Sequence, residues 1–128
     1  MTVWLSKQTV LAIHDEQLAE HGGAAGIRDD GLLESALARP LNRASYREPD
    51  IAELAALYAI AIAQNHPFLD GNKRTAYVTL ETFLELNGLR FPVSDTQAVI
   101  AMLSLAAGDT SDDEFTDWVR AHARVSED

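Results

Sequence analysis

The chain has 128 residues, 47% hydrophobic and 23% charged, the balance of a globular protein that buries about two-thirds of its unfolded surface. It has no cysteine, which excludes disulfides and thiolate-bound metals, and its 20 acidic against 10 basic residues give a net charge of −10 that opposes DNA or RNA binding. No apolar run approaches the roughly 20 residues needed to cross a bilayer, and Met1 to Lys7 lacks the plan of a secretory signal, so a cytoplasmic location is expected.

In chain order, a first helix is expected from about Ser6 to Glu20, with Val10, Leu11, His14 and Leu18 on one face, stopped by Gly22-Gly23. A short helix follows Asp29-Asp30 and runs to about Arg39, where Pro40 discourages continuation. The segment from Asp50 to Asn65 is apolar on nearly every side, as in a helix buried all round. The next, Asn72 to Asn87, presents Ala76, Leu80, Phe83 and Asn87 on one face and ends at Gly88. Ser94-x-x-Gln97 and Ser111-x-x-Glu114 are capping boxes that open two further helices. Val99, Ile100 and Leu103 are expected to face inward in the first of these, and Phe115, Trp118, Val119 and His122 in the second. No sustained period-two alternation appears, so strands are not expected. The fold class is therefore all-α: a compact bundle of about six helices, one domain over residues 1–128, with a loop between its two central helices.

That loop carries the chemistry. His66-Pro67-Phe68-Leu69-Asp70-Gly71-Asn72-Lys73-Arg74 sets a base, a carboxylate, a glycine, an amide and two cations within one loop and one helical turn. Pro67 disfavours helical geometry at His66, so the chain turns there. Gly71 permits close approach of backbone to a ligand, and the helix start at Asn72 offers unpaired N–H groups and the positive end of a dipole. Lys73 and Arg74 oppose that dipole, an arrangement that becomes favourable once an anion binds. His66 can accept a proton from a hydroxyl near neutral pH. Asp70 is a hard oxygen ligand suited to Mg²⁺, and Asn72 can donate to a phosphate oxygen. Phe68 is expected to turn inward and anchor both His66 and Asp70.

The motif resembles the signature of the Fic/Doc family, specifically its death-on-curing (Doc) toxin branch. Gly26-Ile27-Arg28-Asp29-x-Gly31-Leu32-Leu33-Glu34-Ser35-Ala36 with Arg39-Pro40 is similar to that branch as well, so the likeness spans nearly the whole chain. The resemblance implies His66 as general base, Asp70 as Mg²⁺ ligand, and Asn72 and Arg74, with Gly71 and Lys73, as the phosphate site for ATP or another nucleoside triphosphate. AMP-transferring Fic relatives carry Gly at the place of Lys73 and a second Arg at that of Tyr77; both departures match the Doc branch. The implied activity is transfer of the terminal phosphoryl group to a threonine of elongation factor Tu, arresting translation. The implied partner is an antitoxin whose disordered C-terminal segment folds into a helix on binding.

The alternatives are an AMP transferase using the same site, or a non-catalytic nucleotide- or partner-binding module; an RNA-cleaving toxin is disfavoured by the net charge of −10. Elsewhere, His14 and His122 read as satisfied core or rim histidines, His21 as a helix-end residue against carbonyls, and Trp4 and Trp118 as packing residues. Arg43, Tyr46 and Arg47 are placed in the loop before the central helix, either solvated or touching a protein substrate. Val125 to Asp128 reads as a frayed terminus.

Overall fold

The computed structural model describes residues 1–126. Its six helices are α1 (Lys7–His21), α2 (Asp30–Tyr46), α3 (Ile51–Asn65), α4 (Asn72–Leu86), α5 (Asp95–Ala107) and α6 (Asp112–His122). Five of them begin at a Ser or Asp whose side chain accepts the N–H three residues on: Ser6, Asp29, Asp50, Ser94 and Ser111. The last two complete capping boxes with Gln97 and Glu114.

The centre is α3. Every residue from Ala52 to Ala63 is buried, and the helix packs against α2, α4, α5 and α6. Its alanines keep it thin, so neighbouring helices approach closely. Leu33 and Ala36 of α2, Leu80, Phe83 and Leu84 of α4, and Phe115 and Val119 of α6 fill the space around it. Tyr58 receives the Leu5 N–H on its hydroxyl at 3.3 Å, pinning the N-terminal segment, while α1 lies along α4.

Four expectations are corrected. First, α2 continues through Pro40 to Tyr46. Pro40 extends the buried face of Leu33, Ala36 and Leu37, and burial outweighs the lost N–H bond. The turn beyond it is held by Arg43, which bonds Glu53 at 2.6 Å, with Arg47 on the other Glu53 oxygen at 3.4 Å. Arg43 and Tyr46 are thus helical, and both arginines serve this internal pairing.

Second, α5 buries Ala98, Met102 and Leu105, while Val99, Ile100 and Leu103 are 58%, 59% and 53% exposed. A helix apolar on almost all sides contains several competing stripes, and periodicity cannot fix its rotation. Third, two short strands exist: β1 (Leu89–Arg90) pairs antiparallel with β2 (Arg124–Val125), Leu89 opposite Val125. Fourth, Val125 and Ser126 are therefore tied rather than frayed, the Ser126 N–H donating to Gly88 at 2.9 Å; Glu127 and Asp128 lie outside the described residues. Two-residue strands are too short to show alternation in sequence.

Asp50 joins two elements. Its carboxylate caps α3 and also binds Arg120 of α6 at 2.8 Å, which holds its pKa below the ordinary aspartate range. A lowered folded-state pKa contributes stability that is present above the unfolded value and is lost as pH falls through the folded one. Asp50→Ala should thus cost about 1–2 kcal/mol at neutral pH. Urea unfolding across pH should show the gap to the native chain narrowing as pH falls below the ordinary aspartate range and the native carboxylate takes up its proton.

Candidate active site

Residues 66–71 connect α3 to α4. His66 ends α3 at φ 49°, ψ 55°, and is the one non-glycine residue with positive φ among those described. That conformation costs a non-glycine residue roughly 1–2 kcal/mol, and Pro67 removes the ordinary helical alternative. The turn is satisfied from outside. Arg28 donates from Nε to the His66 carbonyl at 2.6 Å and from Nη2 to the Asn65 carbonyl at 2.8 Å. The N–H groups of Arg28 and Asp29 both reach the Pro67 carbonyl, at 2.7 and 3.1 Å. Ile27 forms an antiparallel bridge with Phe68, and Leu69 donates to Gly26 at 3.1 Å. The connection between α1 and α2 thus clasps the loop.

Phe68 is 1% exposed and stacks on His14, ring centroids 3.8 Å apart and 8° from parallel. Its ring turns inward, as expected. Nε2 of His14 lies 2.8 Å from the Asp70 carbonyl oxygen. A carbonyl only accepts, so Nε2 carries the proton. His14 is a satisfied buried histidine, and the group it satisfies belongs to the motif.

Asn72, the first residue of α4, braces the same loop. Its Oδ1 accepts from the Phe68 N–H and its Nδ2 donates to the Phe68 carbonyl, both at 3.0 Å, with His66 Nδ1 3.5 Å from Nδ2. The amide is only 8% exposed. With its side chain committed to the loop, what Asn72 offers an anion is its main-chain N–H in the first helical turn.

Asp70 is exposed. Oδ1 accepts from the Gly71 N–H at 2.9 Å, and Ala24 N lies 3.4 Å from Oδ2. Gly23, at φ 123°, adopts a backbone conformation that favours glycine, and a Cβ there would come within 2.8 Å of Oδ2 and push the carboxylate aside. No group of three metal-ligating side chains occurs among the described residues. One carboxylate open to solvent fits Mg²⁺ that completes its shell with nucleotide phosphates and water, the usual manner of that ion.

At α4 the capping rule lapses. Its N-cap is Gly71, at φ 76°, which has no side chain to bond the first turn. That turn has no acidic residue; it has Lys73 and Arg74, both exposed and without a carboxylate partner among the described residues. Free N–H donors, the dipole's positive end and two cations converge on one spot.

Beside it, α1, α4 and α5 enclose a cleft of about 620 Å³ that includes Lys73, Arg74, Tyr77, Val99, Met102 and Leu103. Glu20, Glu81 and Asp95 make its rim acidic. Burial pushes the Glu81 carboxyl above its ordinary pKa; Glu85 and Asp95 add to this, and a bond from Tyr77 opposes it.

His66, Phe68, Asp70, Gly71, Asn72, Lys73 and Arg74 thus share one loop and helix start. His122 lies elsewhere, bonded to the Trp118 carbonyl, edge-on to Phe91 and tilted against Trp118. His21 contacts the Glu20 carboxylate rather than carbonyls. The contributions of His14, Gly23 and Arg28 were not legible as site residues. Arg28 stood out only within the segment Gly26 to Ala36 that is similar to the Doc branch, Gly23 only as a helix stop, and His14 only as a histidine on an apolar helical face.

The Fic/DOC family model matches residues 4–84, the span holding the loop, its clasp and the start of α4. A protein of Escherichia phage P1 named Protein kinase doc is 33% identical over 117 residues, covering 91% of this chain and 92% of that protein. Toxin Doc of Mycolicibacterium smegmatis is 37% identical over 92 residues, covering 70% of this chain and 68% of that protein. With the loop geometry, these similarities establish that the chain belongs to the Fic/Doc family, in its Doc branch.

Proposed function

We propose that this chain is a Doc-type toxin acting in the cytoplasm as a protein kinase, one domain that moves the terminal phosphoryl group of ATP or a related triphosphate onto a threonine of elongation factor Tu. The observation that carries the reading is that His66 and the exposed Asp70 carboxylate lie in the short loop leading into an uncapped, doubly cationic helix start. The name of the phage P1 relative supports kinase activity.

In this reading the α4 N–H groups, Lys73 and Arg74 bind and orient the terminal phosphate and neutralise charge that develops during transfer. His66 takes the proton as the substrate hydroxyl oxygen bonds to phosphorus. The bond from phosphorus to the bridging oxygen breaks, and the nucleoside diphosphate leaves with that electron pair. Mg²⁺ held by Asp70 and the nucleotide would supply further neutralisation. Phe68, His14 and Asn72 keep loop and helix start in register. Lys73 and Arg74 together favour the more highly charged terminal phosphate over an internal one, which supports phosphorylation over AMP transfer.

The cleft beside Lys73 and Arg74 suits the antitoxin. Exposed Val99 and Leu103 offer apolar contact to a segment that folds into a helix on binding, and the acidic rim favours basic residues along its edge. The name of the M. smegmatis relative, a toxin, supports such a partner.

His66→Ala should lower transfer by about 10²–10⁴-fold while circular dichroism stays unchanged; a normal rate would remove His66 as the base. Asp70→Asn in the same assay should raise the Mg²⁺ concentration required. Purified protein incubated with elongation factor Tu and ATP labelled on the α- or the terminal phosphate should transfer only the terminal label; the α-label on protein would establish AMP transfer instead. Leu103→Glu should keep growth arrest and lose neutralisation by the antitoxin, read from co-expression growth curves, and rescue by antitoxin as for the native chain would move the docking site elsewhere.

A further inference from the structure

We infer that Arg28 is a positioning residue for the reaction, holding His66 in the left-handed turn that fixes its imidazole beside Asn72; this rests on reading His66 as the base. His66 adopts a conformation that nothing intrinsic to histidine favours, at the end of a helix whose last carbonyls lack helical partners. Arg28 supplies partners for the final two, those of Asn65 and His66. Its guanidinium reaches the Asn65 and His66 carbonyls and its own N–H reaches that of Pro67, so one residue bonds three successive peptide groups.

The geometry needs arginine. Two prongs in a fixed plane meet two adjacent carbonyls, while an ammonium group is a single point of charge. The positive charge also complements the negative end of the α3 dipole. Arg28 forms no ion pair among the described residues, so its side-chain bonds go to backbone alone. If it is lost, His66 keeps its anchor at Ile62 but its peptide plane is free to rotate, and the imidazole swings with it. Displacement of a catalytic group by about 1 Å can cost 10²-fold in rate.

The test uses the full chain and four variants: Arg28→Ala, Arg28→Lys, His66→Ala and the Arg28→Ala/His66→Ala pair. Transfer of terminal phosphate from ATP to elongation factor Tu is followed, together with melting temperature. Arg28→Ala should lower kcat by about 10–100-fold with the nucleotide KM within about twofold of native. Arg28→Lys should recover little, and guanidinium at non-denaturing concentration should restore part of the Arg28→Ala rate. On the His66→Ala background, removing Arg28 should cost nothing more, because the group it positions is already gone; a general structural role would lower both backgrounds alike.

A second measurement needs no substrate. The ¹³Cα and ¹³Cβ shifts of His66 should leave their left-handed values in Arg28→Ala and return with guanidinium. Native kcat in Arg28→Ala, an equal loss on the His66→Ala background, or unchanged His66 shifts would each overturn the inference. Should Arg28→Ala unfold, Arg28→Lys carries the same comparisons. Should native protein transfer nothing, the proposed function fails, while the His66 shifts still decide whether Arg28 sets that turn.

Discussion

A histidine in left-handed geometry, pinned between a buried helix and a proline, is the constraint around which the rest of the chain is arranged. Its neighbours in sequence cannot satisfy it. The loop it starts must borrow hydrogen bonds from residues about 40 positions earlier and must seat Phe68 in a slot roofed by His14 of α1. Every element that packs on α3 or α4 therefore also bears on the site. The fold and the chemistry share contacts, with Asn72, Phe68 and His14 serving both.

Electrostatics sharpen that arrangement. A surface with net charge −10 leaves few places where an anion is welcome, and one of them is the start of α4. Omitting a cap there and adding two cations sacrifices local helix stability. The protein recovers it through tertiary packing, since Thr75, Ala76, Thr79 and Leu80 are fully buried against the core. Function is in this sense carried by α3, which α4 grips along its length.

Much of this was legible in the sequence, for identifiable reasons. Helix starts at Ser6, Asp29, Asp50, Ser94 and Ser111 were readable because capping is a local effect of one side chain on a nearby N–H. The motif was readable because its residues are contiguous. What failed depended on distance or on degeneracy. Pro40 continues a helix because the far side of its ring is buried, which local rules cannot weigh. The rotation of α5 was undetermined by a pattern apolar on all sides. The link from Arg28 to His66 spans 38 positions and ends on backbone oxygen, which leaves no mark on residue type at the receiving end.

The alanine-rich build of α3 has a genetic consequence. Ala52, Ala55, Ala56, Ala59, Ala61 and Ala63 are each no more than 6% exposed, so an added methyl group at any of them must displace a neighbouring helix. Because α3 runs directly into His66, such displacement travels along a rigid rod to the turn. A screen for chains that have lost activity should accumulate changes along this helix, far from any ligand, that mimic damage to the motif itself. Tolerated drift belongs at exposed positions away from the cleft and the ion pairs, such as Asp113 and Ala121 of α6, where side chains end in water.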